Sequence, residues 1–329
     1  MKKLLSLLLA IVLTFSLLSS CSLVKKDDRK DPVSSKINIG YLTGPTGMGM
    51  AKLIHDNGGV EGNDNYSFTS YTDSSLATAD LTKGDVDIIC LATNEALKYY
   101  NVDKNIRILA VNCLNSLYII SDSDHQATNL KDLEGQTVYT CKNGTPSMIL
   151  NYIIKSLNLN INVSYEIDGK TMNTPADVRS QVIAGNLPYA VIPEPIVTAS
   201  ILKNSSYSVD VNLADAWASI PGHENTPVTM GCIVTTQKFI DENPELLNNF
   251  LDEYKASVSY IGNTENAENA SKYVAECKIM DAAPAAKKAL LNLGNAISYM
   301  DGNEMRTALE NFYKAMGMPL PAAEFYYEK

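Results

Sequence analysis

At 329 residues the chain is long enough for two domains. Hydrophobic residues make up 45% and charged residues 19%, which excludes intrinsic disorder, a collagen-like repeat and a disulfide-stapled miniprotein. The 27 basic and 37 acidic side chains leave a formal charge of −10, which argues against a nucleic-acid binder as a whole while leaving room for a local basic patch.

The chain opens on Met1-Lys2-Lys3, runs through an almost wholly apolar stretch at 4–18 and reaches Ser19-Ser20-Cys21-Ser22. A basic start, an apolar run too short to span a bilayer and small residues before a cut site predict a secretory signal at 1–20. Leu18-Ser19-Ser20-Cys21 resembles the lipobox of bacterial lipoproteins, which implies that Cys21 becomes the new N-terminus and carries acyl chains, palmitate among them. Loss of Lys2 and Lys3 would take the formal charge to −12. Residues 21–36, rich in Lys, Asp and Ser, read as a flexible tether. The five other cysteines, Cys90, Cys113, Cys141, Cys232 and Cys277, form no CxxC pair, so zinc-ribbon and thioredoxin chemistry has no support. Apolar neighbours mark most of them as small buried hydrophobes.

Structure is expected from Ile37 onward. Strands are predicted at 37–42, 66–71, 86–91 and 107–111, with helices opening at Gly44-Pro-Thr-Gly-Met-Gly49 and covering 77–82 and 94–99. The pattern repeats with strands at 117–120, 137–140, 163–167 and 189–192, separated by a short helix at 129–135 and helices at 147–157 and 175–184. A further helix follows Pro195, a strand returns at 228–235, and nearly everything beyond Pro244 is helical. Alternation at this spacing implies parallel βαβ units. Trp217 is expected to be a partly buried helical residue and His55 a surface residue on the first helix.

Catalytic patterns are scarce: HExxH, GxSxG and Walker A are all absent, and the three histidines, His55, His125 and His223, are not paired. Met50 stands where a phosphate loop needs lysine. What remains is a glycine-rich turn at the end of the first strand, matched by Lys142-Asn-Gly-Thr-Pro-Ser147 in the second α/β unit. Two helix starts facing one crevice suit an anionic or strongly polar ligand group.

That arrangement resembles the type II periplasmic-binding-protein fold, and within it the substrate-binding lipoproteins of ABC importers in the nitrate, sulfonate, taurine and thiamine-precursor group. Leu81-Thr-Lys-Gly-Asp-Val-Asp-Ile88, Leu130-Lys-Asp-Leu-Glu-Gly-Gln-Thr-Val138, the stretch from Gln181 to Pro195 with its Glu194-Pro195, and Lys238-Phe-Ile-Asp-Glu-Asn-Pro-Glu245 carry the likeness in order, over about residues 37–315. The fold implied is α/β and two-lobed, each lobe a mixed, mainly parallel sheet flanked by helices, with a helical C-terminal third. Lobe 1 is expected at 37–116 plus 230–329 and lobe 2 at 117–229. By position, the resemblance places ligand contacts at Thr43, Gly44, Pro45, Thr46, Gly47 and Met48, at Thr93 and Asn94, and at the hinge residues Asn115 and Ser116. From the second lobe come Gly144, Thr145, Pro146, Ser147 and Glu194, with Met230 at the return crossing.

The function so implied is capture of a small polar, aromatic or heterocyclic molecule by a monomer on the outer face of the cytoplasmic membrane and its delivery to a permease with its ATPase. The resemblance implies no cofactor, no metal and no catalysis. Two alternatives stay open. A cleft enzyme would need a reactive group such as Cys141 or Lys142, and a ligand-sensing receptor would need a signalling partner.

Overall fold

The computed structural model describes residues 36–329; the leader, Cys21 and all of the tether but Lys36 lie outside the described residues. Alternating apolar residues build β1 (Ile37–Leu42), whose Ile37, Ile39 and Tyr41 point into one core. The glycine-rich turn then makes only a single-turn helix α1 (Pro45–Met48), interrupted at Gly49 before α2 (Ala51–Asp56). β2 (Tyr66–Tyr71) leads to α3 (Ser74–Lys83), which Asp73 caps at one end and Gly84, at φ 84°, closes at the other. β3 (Ile88–Ala92), α4 (Thr93–Val102) and β4 (Ile106–Cys113) complete the first run.

The chain crosses at Leu114–Ser116 into β5 (Leu117–Asp122), then β6 (Thr137–Tyr139), α5 (Thr145–Ser156) and β7 (Asn162–Ser164). A small hairpin of β8 (Glu166–Ile167) and β9 (Lys170–Thr171) precedes α6 (Pro175–Ala184), β10 (Tyr189–Pro193), α7 (Ile196–Ile201), β11 (Tyr207–Asn212) and α8 (Leu213–Ala218). Helix α6 shows why its limits were readable: Thr174 and Asp177 form a capping box, Pro175 opens it, and Gly185 at φ 76° ends it. The chain returns through β12 (Gly231–Thr236) to α9 (Gln237–Glu242), α10 (Pro244–Gly262), α11 (Ala267–Glu276), α12 (Ala283–Leu293), β13 (Ile297–Met300) and α13 (Gly302–Ala315).

Two mixed sheets result. The first runs β13-β4-β12-β3-β1-β2, and the second β11-β5-β10-β6-β7. In the first, β1 pairs in parallel with β2 and β3, while β12 inserts antiparallel between β3 and β4. In the second, β6 pairs in parallel with β7 and β10, and β5 runs antiparallel to β10 and β11. One apolar core lies between the first sheet and α2, α10, α11 and α12; Leu247, Phe250, Leu251, Tyr254, Val258 and Ile261 recur at helical spacing along α10 to reach it. A second core takes residues of both sheets, and a third covers the other face of the second sheet. Among the described residues no helix is long and apolar enough to cross a membrane.

The structure departs from the sequence reading at four places. The strand expected at 163–167 divides at Tyr165: β7 pairs with β6, while Glu166 and Ile167 turn back through Asp168 and Gly169, both at positive φ, onto β9. β11 and β13 are strands the reading did not contain. β13 lies within the helical C-terminal stretch, where it closes the outer edge of β4 and Leu114 N donates to Ala296 O at 2.7 Å. β4 does not pair with β3, since the returning β12 takes that place. Trp217 is almost wholly buried, at 1% exposure.

Candidate functional site

The expected ligand loops sit where the ends of the strands of the two sheets approach each other. After β1 the chain must turn within hydrogen-bonding distance of its own strand. A Cβ on Gly47 would fall 2.0 Å from Leu42 O, so only glycine fits there. The turn spends most of its own donors: Thr43 N goes to Tyr71 O, Gly44 N to Leu42 O and Gly47 N to Gly44 O. Pro45 has no N–H to offer. This overturns the expectation of two equivalent helix starts, because α1 is one turn with its amides largely used. The other start is intact. Gly144, at φ 94°, precedes the twelve-residue α5 with no side chain capping it, and Ser147 Oγ turns back to the carbonyls of Lys142 and Gly144.

A chain of contacts joins the remaining loops. Thr93 N donates to Met230 O at 3.0 Å and Thr93 Oγ1 to Thr229 O at 2.6 Å, tying the start of α4 to the returning strand. Tyr313 Oη from α13 donates to Thr93 O at 2.9 Å. Ser116 N and Oγ approach Met230 Sδ at 3.3 and 3.6 Å, and Glu194 N donates to Ser116 O at 2.9 Å. Between the two sheets' loops, Thr145 Oγ1 donates to Asn94 Oδ1 at 3.4 Å. Thr43, Gly44, Pro45 and Asn94 are half-buried and Gly144 is exposed, whereas Thr46, Thr145, Pro146 and Ser147 are buried.

Three expected contacts point their side chains elsewhere. Met48 is fully buried in the core of the first sheet. Glu194, also fully buried, accepts from Thr198 N at 3.1 Å, Thr198 Oγ1 at 2.8 Å and Asn292 Nδ2 at 2.7 Å. Burial raises its pKa above the ordinary glutamate range, against the opposing pull of those donors and of Lys288. Asn115 turns toward Asn212, donating to its Oδ1 at 3.2 Å.

The structure adds residues that the sequence reading missed. Asn112, 1% exposed, donates from Nδ2 to Thr46 O at 2.8 Å and to Tyr254 Oη at 2.7 Å. Its Oδ1 has no partner among the described residues, and neither has the hydroxyl of the fully buried Thr229. Gly231 lies against the same group: a Cβ there would fall 2.6 Å from Asn112 Oδ1 and 2.6 Å from Thr46 Cγ2. The signal for Asn112 was a lone amide in the apolar run Leu109-Ala-Val-Asn-Cys113, a polar residue that burial must explain. The histidines contribute nothing to this cluster: His55 stacks on Tyr273, His125 meets Asp122 and His223 meets Tyr152. Among the described residues no group of three or more His, Cys, Asp or Glu is placed to hold a metal ion.

The sequence model of the family described as NMT1/THI5 like matches residues 67–267. No curated protein matches the chain. Among solved structures, an ABC transporter protein from Parabacteroides distasonis is 21% identical, with TM-score 0.71, covering 90% of this chain and 99% of that one. The periplasmic aliphatic sulphonate binding protein SsuA from Escherichia coli is 16% identical, with TM-score 0.66, covering 91% and 93%. The periplasmic nitrate-binding protein NrtA from Synechocystis PCC 6803 is 13% identical, with TM-score 0.61, covering 87% and 82%. The fold is therefore that of the periplasmic binding proteins.

Proposed function

We propose that this chain, which belongs to the NMT1/THI5-like family, is the solute-binding lipoprotein of an ABC importer. Anchored through Cys21 on the outer face of the cytoplasmic membrane, it works as a monomer that takes up a small molecule and hands it to the permease. The lobes are 37–116 with 230–329 and 117–229, and the segments at 115–117 and 228–231 are the hinges. The observation that carries this reading is the meeting of polar loops from both sheets at Thr145 and Asn94, next to a first-sheet cluster in which Thr93 ties to Thr229 and Asn112 to Thr46. Polar side chains and loop ends meeting between two sheets suit a small polar solute.

The same residues favour a neutral or zwitterionic heterocycle over sulfonate or nitrate. One intact helix start serves the cleft, and the described arginines are engaged or placed elsewhere. Arg107 holds Gln237, Arg306 holds Glu310, and Arg179 belongs to α6. Lys142 is exposed and is the one cation within the two loop sequences 43–48 and 142–147. Such a site offers donors and acceptors rather than a charge pair.

The enzymatic alternative loses one of its two candidate groups, Cys141, and keeps Lys142, which is exposed beside the second loop. Cys141 is buried, its Sγ donates to Asn143 O at 3.2 Å, and burial pushes its pKa up to about 11, so the thiol stays protonated at neutral pH.

Mass spectrometry of solute released from the purified protein, followed by a thermal-shift panel of pyrimidines, other vitamins, sulfonates and nitrate, tests the reading. A true solute at 100 times its dissociation constant should stabilise the protein by about 2.7 kcal/mol. Thr145→Trp should abolish that shift. Equal solute recovery from Thr145→Trp and wild type would sink the cleft assignment. Unchanged membrane attachment of Cys21→Ala would sink the anchor.

A further inference from the structure

The loop after β1 runs into a helix that breaks and resumes: α1 ends at Met48 and α2 starts at Ala51. Backbone angles do not account for the break. Gly49, at φ −59° and ψ −19°, and Met50, at φ −81° and ψ −17°, both stay in the right-handed helical region. The interruption lies in the hydrogen-bond ladder instead. In an unbroken helix Leu53 N would donate to Gly49 O, four residues back. Here Leu53 N donates to Ser257 Oγ at 2.9 Å, and the same hydroxyl donates to Gly49 O at 2.7 Å. One serine hydroxyl, donor on one side and acceptor on the other, stands between the two groups of a single rung.

Ser257 belongs to α10 and is 2% exposed. A Cβ on Gly49 would fall 2.9 Å from Val258 Cγ2, so glycine at 49 lets α10 come close enough for the hydroxyl to reach. One turn earlier the ladder is opened in the same manner. Thr46 O, the acceptor that Met50 N would use in an unbroken helix, takes Asn112 Nδ2 at 2.8 Å, and Met50 N turns to Gly47 O at 3.0 Å. Asn112 Nδ2 also donates to Tyr254 Oη at 2.7 Å, three residues before Ser257 on α10. Buried polar groups from β4 and α10 thus hold the break at both ends.

We propose that Ser257 is a positioning residue for the solute site: its hydroxyl keeps α1 from joining α2 and so sets the shape in which the Thr43–Met48 loop is presented. This role rests on the reading of that loop as part of the solute cleft. In Ser257→Ala the two released groups, Leu53 N and Gly49 O, are a matched helical pair, so α2 would extend toward the loop and draw Thr46 and Gly47 with it.

A crystal structure of Ser257→Ala reads the wedge without any solute: Leu53 N should donate directly to Gly49 O. The use of the wedge is read by titrating wild type and variant with one probe, the pyrimidine, vitamin, sulfonate or nitrate of the panel above that most raises the unfolding temperature of the wild type. Ser257→Ala should weaken that probe about tenfold through lost preorganisation. Its urea midpoint should stay at the wild-type value, because the two partners of the deleted hydroxyl satisfy each other. A break that persists in Ser257→Ala, wild-type affinity for the probe, or a lowered midpoint with affinity intact would overturn the proposal. Thr145→Trp, titrated with the same probe, separates this role from the cleft itself. Binding lost there and intact in Ser257→Ala removes the role of Ser257 alone, and binding intact in both removes the cleft as well.

Discussion

Glu194 offers the sharpest test of how the two sheets are held together. Its carboxylate, at the end of β10, accepts three hydrogen bonds: Thr198 N at 3.1 Å, Thr198 Oγ1 at 2.8 Å and Asn292 Nδ2 at 2.7 Å. Asn292 belongs to α12, whose Ala286, Ala289 and Leu290 pack in the core of the first sheet, and its carbonyl also accepts from Tyr118 Oη of β5 at 2.7 Å. Glu194→Ala strands the Thr198 amide in a fully buried place. Asn292 keeps only its longer contact to Thr198 Oγ1, at 3.3 Å. Two donors without their acceptor, Thr198 N and Oγ1, one weakened donor and the lost side-chain volume add to about 3–5 kcal/mol. Relief of a buried charge offsets part of this and leaves a net loss of about 2–4 kcal/mol. Glu194→Gln keeps an acceptor toward Asn292 and Thr198 Oγ1 but turns an amide donor on Thr198 N, for a loss of about 1–2 kcal/mol.

The pH dependence has a fixed sign. Burial raises the pKa of Glu194 above 4.5, so the folded protein holds this proton more tightly than the unfolded chain. Its contribution to stability is full below 4.5. It falls as pH rises through the raised folded pKa and is level beyond it. Urea denaturation followed by Trp217 emission, across that interval, should show a fall in the wild type that is absent from Glu194→Gln. A Glu194→Ala variant within about 1 kcal/mol of wild type, against the expected loss, would refute the tie. Parallel pH curves for wild type and Glu194→Gln would refute the titration argument.

Gly231→Ala places a methyl 2.6 Å from both Asn112 Oδ1 and Thr46 Cγ2. It should cost about 1–3 kcal/mol in denaturation and weaken binding of the solute identified by mass spectrometry, measured by calorimetry. The five buried, unpaired thiols should be inert in the folded state. Burial pushes Cys90, Cys113 and Cys277 up to about 12 and Cys141 up to about 11, so an aromatic disulfide reagent at mild alkaline pH should titrate them only after denaturant is added. Rapid reaction of even one in the native protein would contradict this packing.

Local chemistry decided what could be read in the sequence. Thr174-Pro175 and Gly185 bracket α6 because caps act within a few residues, and the reading at 175–184 coincides with the helix. The two glycine-rich turns after β1 and β6 were legible for the same reason, since glycines and prolines punctuate them. Pairing between distant segments was not. β13 is a four-residue strand inside a helical stretch, and only the open edge of β4 makes it one. The antiparallel insertion of β12 between β3 and β4 depends on a return after more than a hundred residues, which no window of local periodicity contains. Asn112 belongs to this class too: its amide matters because Thr46 and Tyr254 arrive from far along the chain.

The contacts between the two halves differ greatly in what it takes to break them, and this bears on how a solute would enter. At the loops, Thr145 and Asn94 share one long neutral hydrogen bond of 3.4 Å, with Asn94 half-buried and within reach of water. Exchanging such a bond for water costs about 1 kcal/mol or less. At α12, Asn292 is held twice by the second sheet, through Tyr118 Oη and a fully buried carboxylate. Separating that pair exposes or strands charge, at several kcal/mol. A motion that parts Asn94 from Thr145 while leaving Asn292 seated is therefore the cheap one, and under the proposed function it is the motion that would admit the solute. Thr145→Val, which deletes the hydroxyl donor, should accordingly leave stability within about 1 kcal/mol of wild type. It should raise the solute's association and dissociation rates together in stopped-flow measurements. A large stability loss with unchanged rates would place the moving contact elsewhere.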